Sequence, residues 1–246
     1  MTDGLIVKKT DGLLEITLDC PQRGNGMEDG QIVALGDIFE AEHDKARLIV
    51  VRANGPDFCT GRAMSGRIPM KGPEAIALRE NHDIVFRLYG AVRHSKAPVI
   101  SLVQGRAHGF GCALACVSDI TIAAQSARFA ITEFNHNIMP TMVMSSLVDR
   151  IALKPLMYLV WTSKEIDARH AMTIGAVSDV VPDAELASAG DALIARLMKA
   201  PAPAVQAVKD YAHGANAIDI GKAVAFARNL HAVVNTAPEM RPPKKD

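Results

Sequence analysis

The chain has 246 residues, 49% hydrophobic and 22% charged, which is the balance of a soluble globular protein large enough to bury a core without staples. Lys+Arg and Asp+Glu both number 27, so the formal net charge is zero, which argues against a nucleic-acid binder. Aromatics make up 4%, so Ala, Val, Leu, Ile and Met must fill the interior.

In chain order, residues 5–9 and 13–19 read as two short strands, with the Asp11-Gly12 pair as their turn. The opening MTDGLIVKKTDG lacks the apolar stretch of a secretory signal, and no run of about 18 apolar residues occurs. A cytoplasmic location is therefore expected. Asn25-Gly26 marks a loop, and Ile32, Val33, Leu35, Ile38 and Phe39 give residues 27–43 helical spacing. Leu48 to Val51 has no polar alternation, the pattern of a strand buried on both faces. Residues 54–72, with four Gly and two Pro, read as loop, and 74–93 as a long amphipathic helix. A second buried strand at 98–103 leads through a Gly-rich turn into a small-residue helix near 109–116, and a third such strand follows at 119–123. This alternation predicts an α/β fold with right-handed crossovers. From about 141 onward only helices are expected: 141–151, 153–160, 167–173, 183–198, 201–213 and 217–235. Cys20, Cys59, Cys112 and Cys116 show no CxxC spacing and read as structural thiols in a reducing compartment.

Two segments carry a family resemblance. Phe58-Cys59-Thr60-Gly61-Arg62-Ala63-Met64 resembles the "F-x-x-G-x-D-[LIM]" segment of the crotonase (enoyl-CoA hydratase/isomerase) superfamily, with Ala63 at the usual Asp. Gly105 to Leu114 resembles its "G-x-x-x-G-G-G-x-E-L" turn. Asn25-Gly26-Met27, Ser118-Asp119-Ile120, Ala127 to Glu133 and Met139-Pro140 follow the family pattern in order and spacing, over about residues 5–213.

The resemblance implies a crotonase-like spiral of right-handed ββα turns over 1–195. A helical C-terminal trimerisation region and tail would take up 196–246, in a homotrimer or dimer of trimers. It implies an acyl-CoA substrate, with coenzyme A as part of that substrate and no separate cofactor, metal, nucleic-acid or membrane partner. Its chemistry places negative charge on a thioester oxygen. Two backbone N–H donors in a dry pocket stabilise such charge, typically by about 3–4 kcal/mol for each donor. By position these donors are the N–H groups of Arg62 and Phe110. Gly61, Gly109 and Gly111 let the chain turn and the ligand approach.

Glu133 falls on the family's acid–base position, where an apolar pocket would raise its pKa. The second family Glu, which helps activate water in hydratases, falls on Ala113. One carboxylate suits moving a proton between two carbons of one substrate, so the isomerase type is favoured. Hydration or dehydration with Asn135, His136 or a water as the second catalyst stays open, as do thioester hydrolysis, decarboxylation and non-catalytic binding.

Arg23 and Gly24 lie in the loop that contacts CoA in the family, and the Arg62 guanidinium could reach phosphate. Arg241, Lys244 or Lys245 could replace the absent C-terminal CoA motif. Asn135, His136 and Asn137 read equally as acyl pocket or as polar loop. His108, Tyr89 and His82 read first as packing residues with a ligand role open, and Met139, Met142 and Met144 as core or pocket wall.

Overall fold

The structure is a computed structural model describing residues 3–69, 75–215, 219–235 and 237–240. Strands β1 (Leu5–Thr10) and β2 (Leu13–Leu18) form an antiparallel hairpin. Its turn residues, Asp11 and Gly12, take φ of 46° and 86°, the two positive values that match a hairpin's twist. Leu14, Ile16 and Leu18 face inward from β2, every second residue, as the pleat requires. Helix α1 (Asp29–Glu42) opens on a reciprocal capping box between Glu28 and Gln31. It buries Ile32, Leu35 and Phe39, the periodic residues of the sequence.

The central run is β3 (Leu48–Ala53), α2 (Ala75–His94), β4 (Val99–Val103), β5 (Arg106–His108), α3 (Phe110–Val117), β6 (Ile120–Ala124) and β7 (Arg128–Ala130). A 3-10 turn at Glu133–His136 leads to α4 (Thr141–Leu147) and α5 (Leu153–Thr162). Then come β8 (Ile166–Asp167), α6 (Ala168–Thr173), β9 (Asp179–Val181), α7 (Leu186–Lys199), α8 (Ala202–Ala215) and α9 (Ile220–Asn235).

The larger sheet has the order β1-β2-β3-β4-β6-β9, parallel from β2 onward, and β5-β7-β8 make a smaller sheet beside it. One face of the larger sheet presents Ile49, Val51, Val99 and Val103 to the core shared with α1, α2 and α3. The other presents Leu48, Val50, Ile100, Leu102 and Ile122 to Ile194 of α7. Both faces are covered, which is why β3 and β4 read as unbroken apolar runs. Among the described residues no helix is long and apolar enough to cross a membrane.

The expectation of helices alone after residue 141 is corrected by β8 and β9. Two and three residues are too short to display alternation, and both strands exist because a sheet edge awaits them: β9 pairs with β6 and β8 with β7. The strands β5 and β7 were missed for the same reason. The helix expected over 141–151 ends at Leu147, and the one expected from 183 begins with a 3-10 turn at Asp183–Glu185 before α7.

Long-range polar clamps fix the helices. Arg93 of α2 donates to the carbonyls of Ser145 and Ser146 and pairs with Asp149. The buried Lys209 of α8 donates to the carbonyls of Val92 and Ala97 and lies 2.7 Å from Asp119.

Candidate active site

The site is built where the segment after β3 crosses the turn after β5. Asn25 anchors the first of these. It is buried at φ 54°, its side-chain oxygen accepts from Cys20 N–H, and its amide donates to the carbonyls of Asn54 and Asp57. Those bonds hold the 20–27 turn against residues 54–61. Asp57 in turn takes two bonds from the Arg106 guanidinium and one from its backbone N–H. Nothing in the sequence pattern marked Asp57 and Arg106 as partners.

Main-chain bridges then join the segments. Cys59 N–H donates to Arg106 O, and His108 N–H donates to Cys59 O. Met27 N–H donates to Gly61 O, and Ala63 N–H donates to Met27 O. In this parallel bridge Met27 occupies the neighbours of Arg62, so the Arg62 N–H points the other way. Neither it nor the Phe110 N–H, at the first position of α3, has an acceptor among the described residues. The first turn of a helix leaves such donors free, with its dipole behind them.

Glycine is required at these turns by position. A β-carbon on Gly111 would sit 2.0 Å from Cys59 O, and Gly109 has φ of 50°. A β-carbon on Gly109 would also lie 2.9 Å from Glu133 Oε1, so the carboxylate stands directly against the turn.

Glu133 opens the 3-10 turn after β7, with Oε2 buried and unpartnered. Burial raises its pKa, partly offset by bonds from its own and Thr132 backbone N–H groups and by the His136 charge. Ala113, one turn into α3, is fully buried and supplies no second carboxylate. The Cys59 thiol is pushed up to about 12 by burial and therefore stays protonated. All four cysteines are free and buried.

The remaining candidates divide. Asn135, His136 and Asn137 are exposed, and only the charge of His136 acts on Glu133. Tyr89 is buried, stacked on Phe110 with centroids 6.0 Å apart, and its hydroxyl has no partner. His108 Nε2 lies 2.9 Å from Glu165 Oε2 but off the hydrogen-bond direction. Met139 is corrected from core or pocket wall to an exposed residue, while Met142 and Met144 pack against the core.

Arg23 pairs with Glu28 on the outer side of the 20–27 turn, and Gly24 O accepts from Thr60 N–H. The expectation that the Arg62 side chain grips phosphate is corrected. It is 8% exposed, and its Nε donates to Asp29 Oδ1 at 2.7 Å. A buried carboxylate at the start of α1 has captured it. Arg241, Lys244 and Lys245 lie outside the described residues.

A family model described as enoyl-CoA hydratase/isomerase matches residues 8–239. The enoyl-CoA hydratase domain-containing protein 3, mitochondrial, of Rattus norvegicus is 28% identical over 73% of this chain, and the match spans 60% of that protein's length. A crystal structure of an enoyl-CoA hydratase from Mycobacterium smegmatis superposes with TM-score 0.89 at 25% identity, covering 97% of this chain and 93% of that one. A putative enoyl-CoA hydratase from Thermobifida fusca YX, solved in complex with CoA, gives TM-score 0.86 at 26% identity over 94% of this chain and 92% of that one.

Proposed function

Because this chain belongs to the enoyl-CoA hydratase/isomerase family and has its fold, we propose that it is an acyl-CoA enzyme that shifts the double bond of a 3-enoyl-CoA to the 2-position. The thioester oxygen accepts from the N–H groups of Arg62 and Phe110. Glu133 takes a proton from C2 and returns it to C4, so the dienolate formed between these steps carries its charge on that oxygen. The CoA bound to the Thermobifida fusca neighbour supports the thioester.

The observation that carries the reading is a Glu133 carboxylate that stands against the Gly109 turn with its Oε2 buried and unpartnered, and Ala113 at the family's second carboxylate position. Hydration needs a group to deprotonate water as well as one to deliver the α-proton. Exposed Asn135 and His136 are poor substitutes, because neither is held in the dry part of the site. Shuttling a proton along one substrate needs one base, and burial raises the Glu133 pKa in the direction that suits this work.

A homotrimer or dimer of trimers is the assembly proposed. Leu153 and Trp161 of α5, at 71% and 65% exposed, are apolar surface that an association would cover.

The test is the pH profile of kcat/KM for isomerisation of a 3-enoyl-CoA. Glu133 must be ionised to take the proton, so activity is high above its pKa and falls as pH drops through it. Since that pKa is raised, the acid limb should lie above the ordinary carboxylate range and vanish in Glu133→Gln. A limb at the ordinary carboxylate position, or one that survives the substitution, would contradict the assignment.

A further inference from the structure

The side chains of Arg62 and Tyr89 hold donors that the proposed reaction does not use. Arg62 has five N–H donors. Its Nε is spent on Asp29, whereas Nη1 is buried with no partner. Both Asp29 oxygens are already engaged, Oδ1 by Arg62 Nε and Oδ2 by Ile68 N–H at 2.8 Å. The Tyr89 hydroxyl is the second unpartnered donor, on a ring that stacks against Phe110. Buried polar groups in folded proteins are normally paired, so two orphaned donors beside a binding turn call for an explanation.

Two arginines and the carboxylate of Asp29 set much of the charge around them. Arg67 lies near Arg62, its guanidinium donating to the carbonyl oxygens of Ala63 at 2.6 Å and Arg62 at 3.4 Å. Asp29 is the carboxylate acting on both. Their charge reaches His82 of α2, whose pKa is lowered by burial first and then by Arg62 and Arg67, with Asp29 and Asp83 opposing. It also reaches the Tyr89 hydroxyl, where the Arg62 charge opposes that of Glu133. The thiols of Cys59 and Cys112 face the same hydroxyl and are neutral, both pushed upward. A guanidinium with spare N–H groups favours a carboxylate over a neutral acceptor, because a charge-assisted bond is the stronger one.

We propose that the acyl pocket takes a short acyl group ending in a carboxylate, held by Arg62 Nη1 and the Tyr89 hydroxyl. Arg62 would then serve the substrate at both ends, its backbone N–H on the thioester oxygen and its side chain on the tail. An extended arginine side chain reaches about as far as two residues of extended backbone, roughly 7 Å, which limits the acyl group to about five or six carbons, the lower bound set by a C3–C4 double bond followed by the carboxylate. The tail anion sits on the arginine side and leaves Glu133 free for C2 and C4. This inference rests on the reading of the two turns as a thioester site.

The experiment is calorimetric titration with two unreactive probes, hexanoyl-CoA and the CoA monothioester of hexanedioic acid. Wild type should bind the carboxylate-ended thioester at least about tenfold more tightly. Tyr89→Phe, which keeps the stack on Phe110, should reduce that ratio. Arg62→Met combined with Asp29→Asn, which removes the guanidinium without stranding a buried carboxylate, should abolish it. Equal binding of the two probes, or tighter binding of hexanoyl-CoA, would overturn the inference and leave the thioester site standing. Binding of neither probe would overturn both. A wild-type preference that persists unchanged in both variants would show that the tail is held elsewhere and would also overturn it.

Discussion

Glu133→Gln should lower kcat by about 10²–10⁴-fold, the usual contribution of a positioned acid–base group. The Kd of a saturated acyl-CoA should stay within a few-fold of wild type. The amide fills the same space against Gly109 but cannot act as the base, and the main-chain donors proposed for the thioester oxygen are not touched by the substitution. The same change should raise stability at neutral pH. A carboxyl whose folded pKa is raised favours folding while it is protonated at low pH, and loses that contribution as pH rises through the folded pKa. At neutral pH the ionised Glu133, with Oε2 buried and unpartnered, is therefore a cost that Gln removes. Product-resolved kinetics and calorimetry on the two proteins check this. Turnover within a few-fold of wild type would take Glu133 out of the mechanism.

Gly111→Ala should damage both the fold and the site. Its β-carbon would stand 2.0 Å from Cys59 O, a backbone atom that no side-chain rotation can move. Overpacking of this severity costs on the order of 3 kcal/mol. With roughly 2–4 °C of Tm for each kcal/mol in a chain of this size, Tm should fall by about 6–12 °C. Relief requires α3 to move away from the 58–62 segment, which separates the Phe110 and Arg62 N–H groups, so kcat should fall as well. Gly36→Ala in α1 is the control, since its β-carbon meets nothing within 4 Å, and it should be neutral or stabilising. An unaltered Tm and kcat in Gly111→Ala would show that the two turns are not packed as described.

The turns and the buried strands were legible in the sequence, and the short strands were not. The Gly-rich turn could be read because Gly109 and Gly111 answer local demands, one for a positive φ and one for close approach. Glu133 could be placed because it follows at a fixed interval in a familiar order. The buried strands β3 and β4 were visible as apolar runs, since both of their faces are covered. By contrast, β5, β7, β8 and β9 depend on a partner strand far along the chain and carry no period of their own.

The same holds for the polar groups. Asp29 sits in the first turn of α1, where an acid is ordinary, and nothing local says that Arg62, thirty-three residues on, will be buried against it. Reading the Arg62 side chain as a phosphate ligand followed from its chemistry alone; its direction was set by the bridge to Met27. Tyr89 fits helical spacing as a core residue, and only the structure shows that its hydroxyl is left without a partner.

The central claim is that one carboxylate, Glu133, moves a proton along the substrate without a second group to activate water. It is tested most directly by wild-type kcat/KM for isomerisation of a 3-enoyl-CoA and for hydration of the 2-enoyl-CoA of the same length. The account predicts that isomerisation is the faster by a wide margin and that hydration is poor. Hydration at ordinary enzymatic rates with no detectable isomerisation would contradict it.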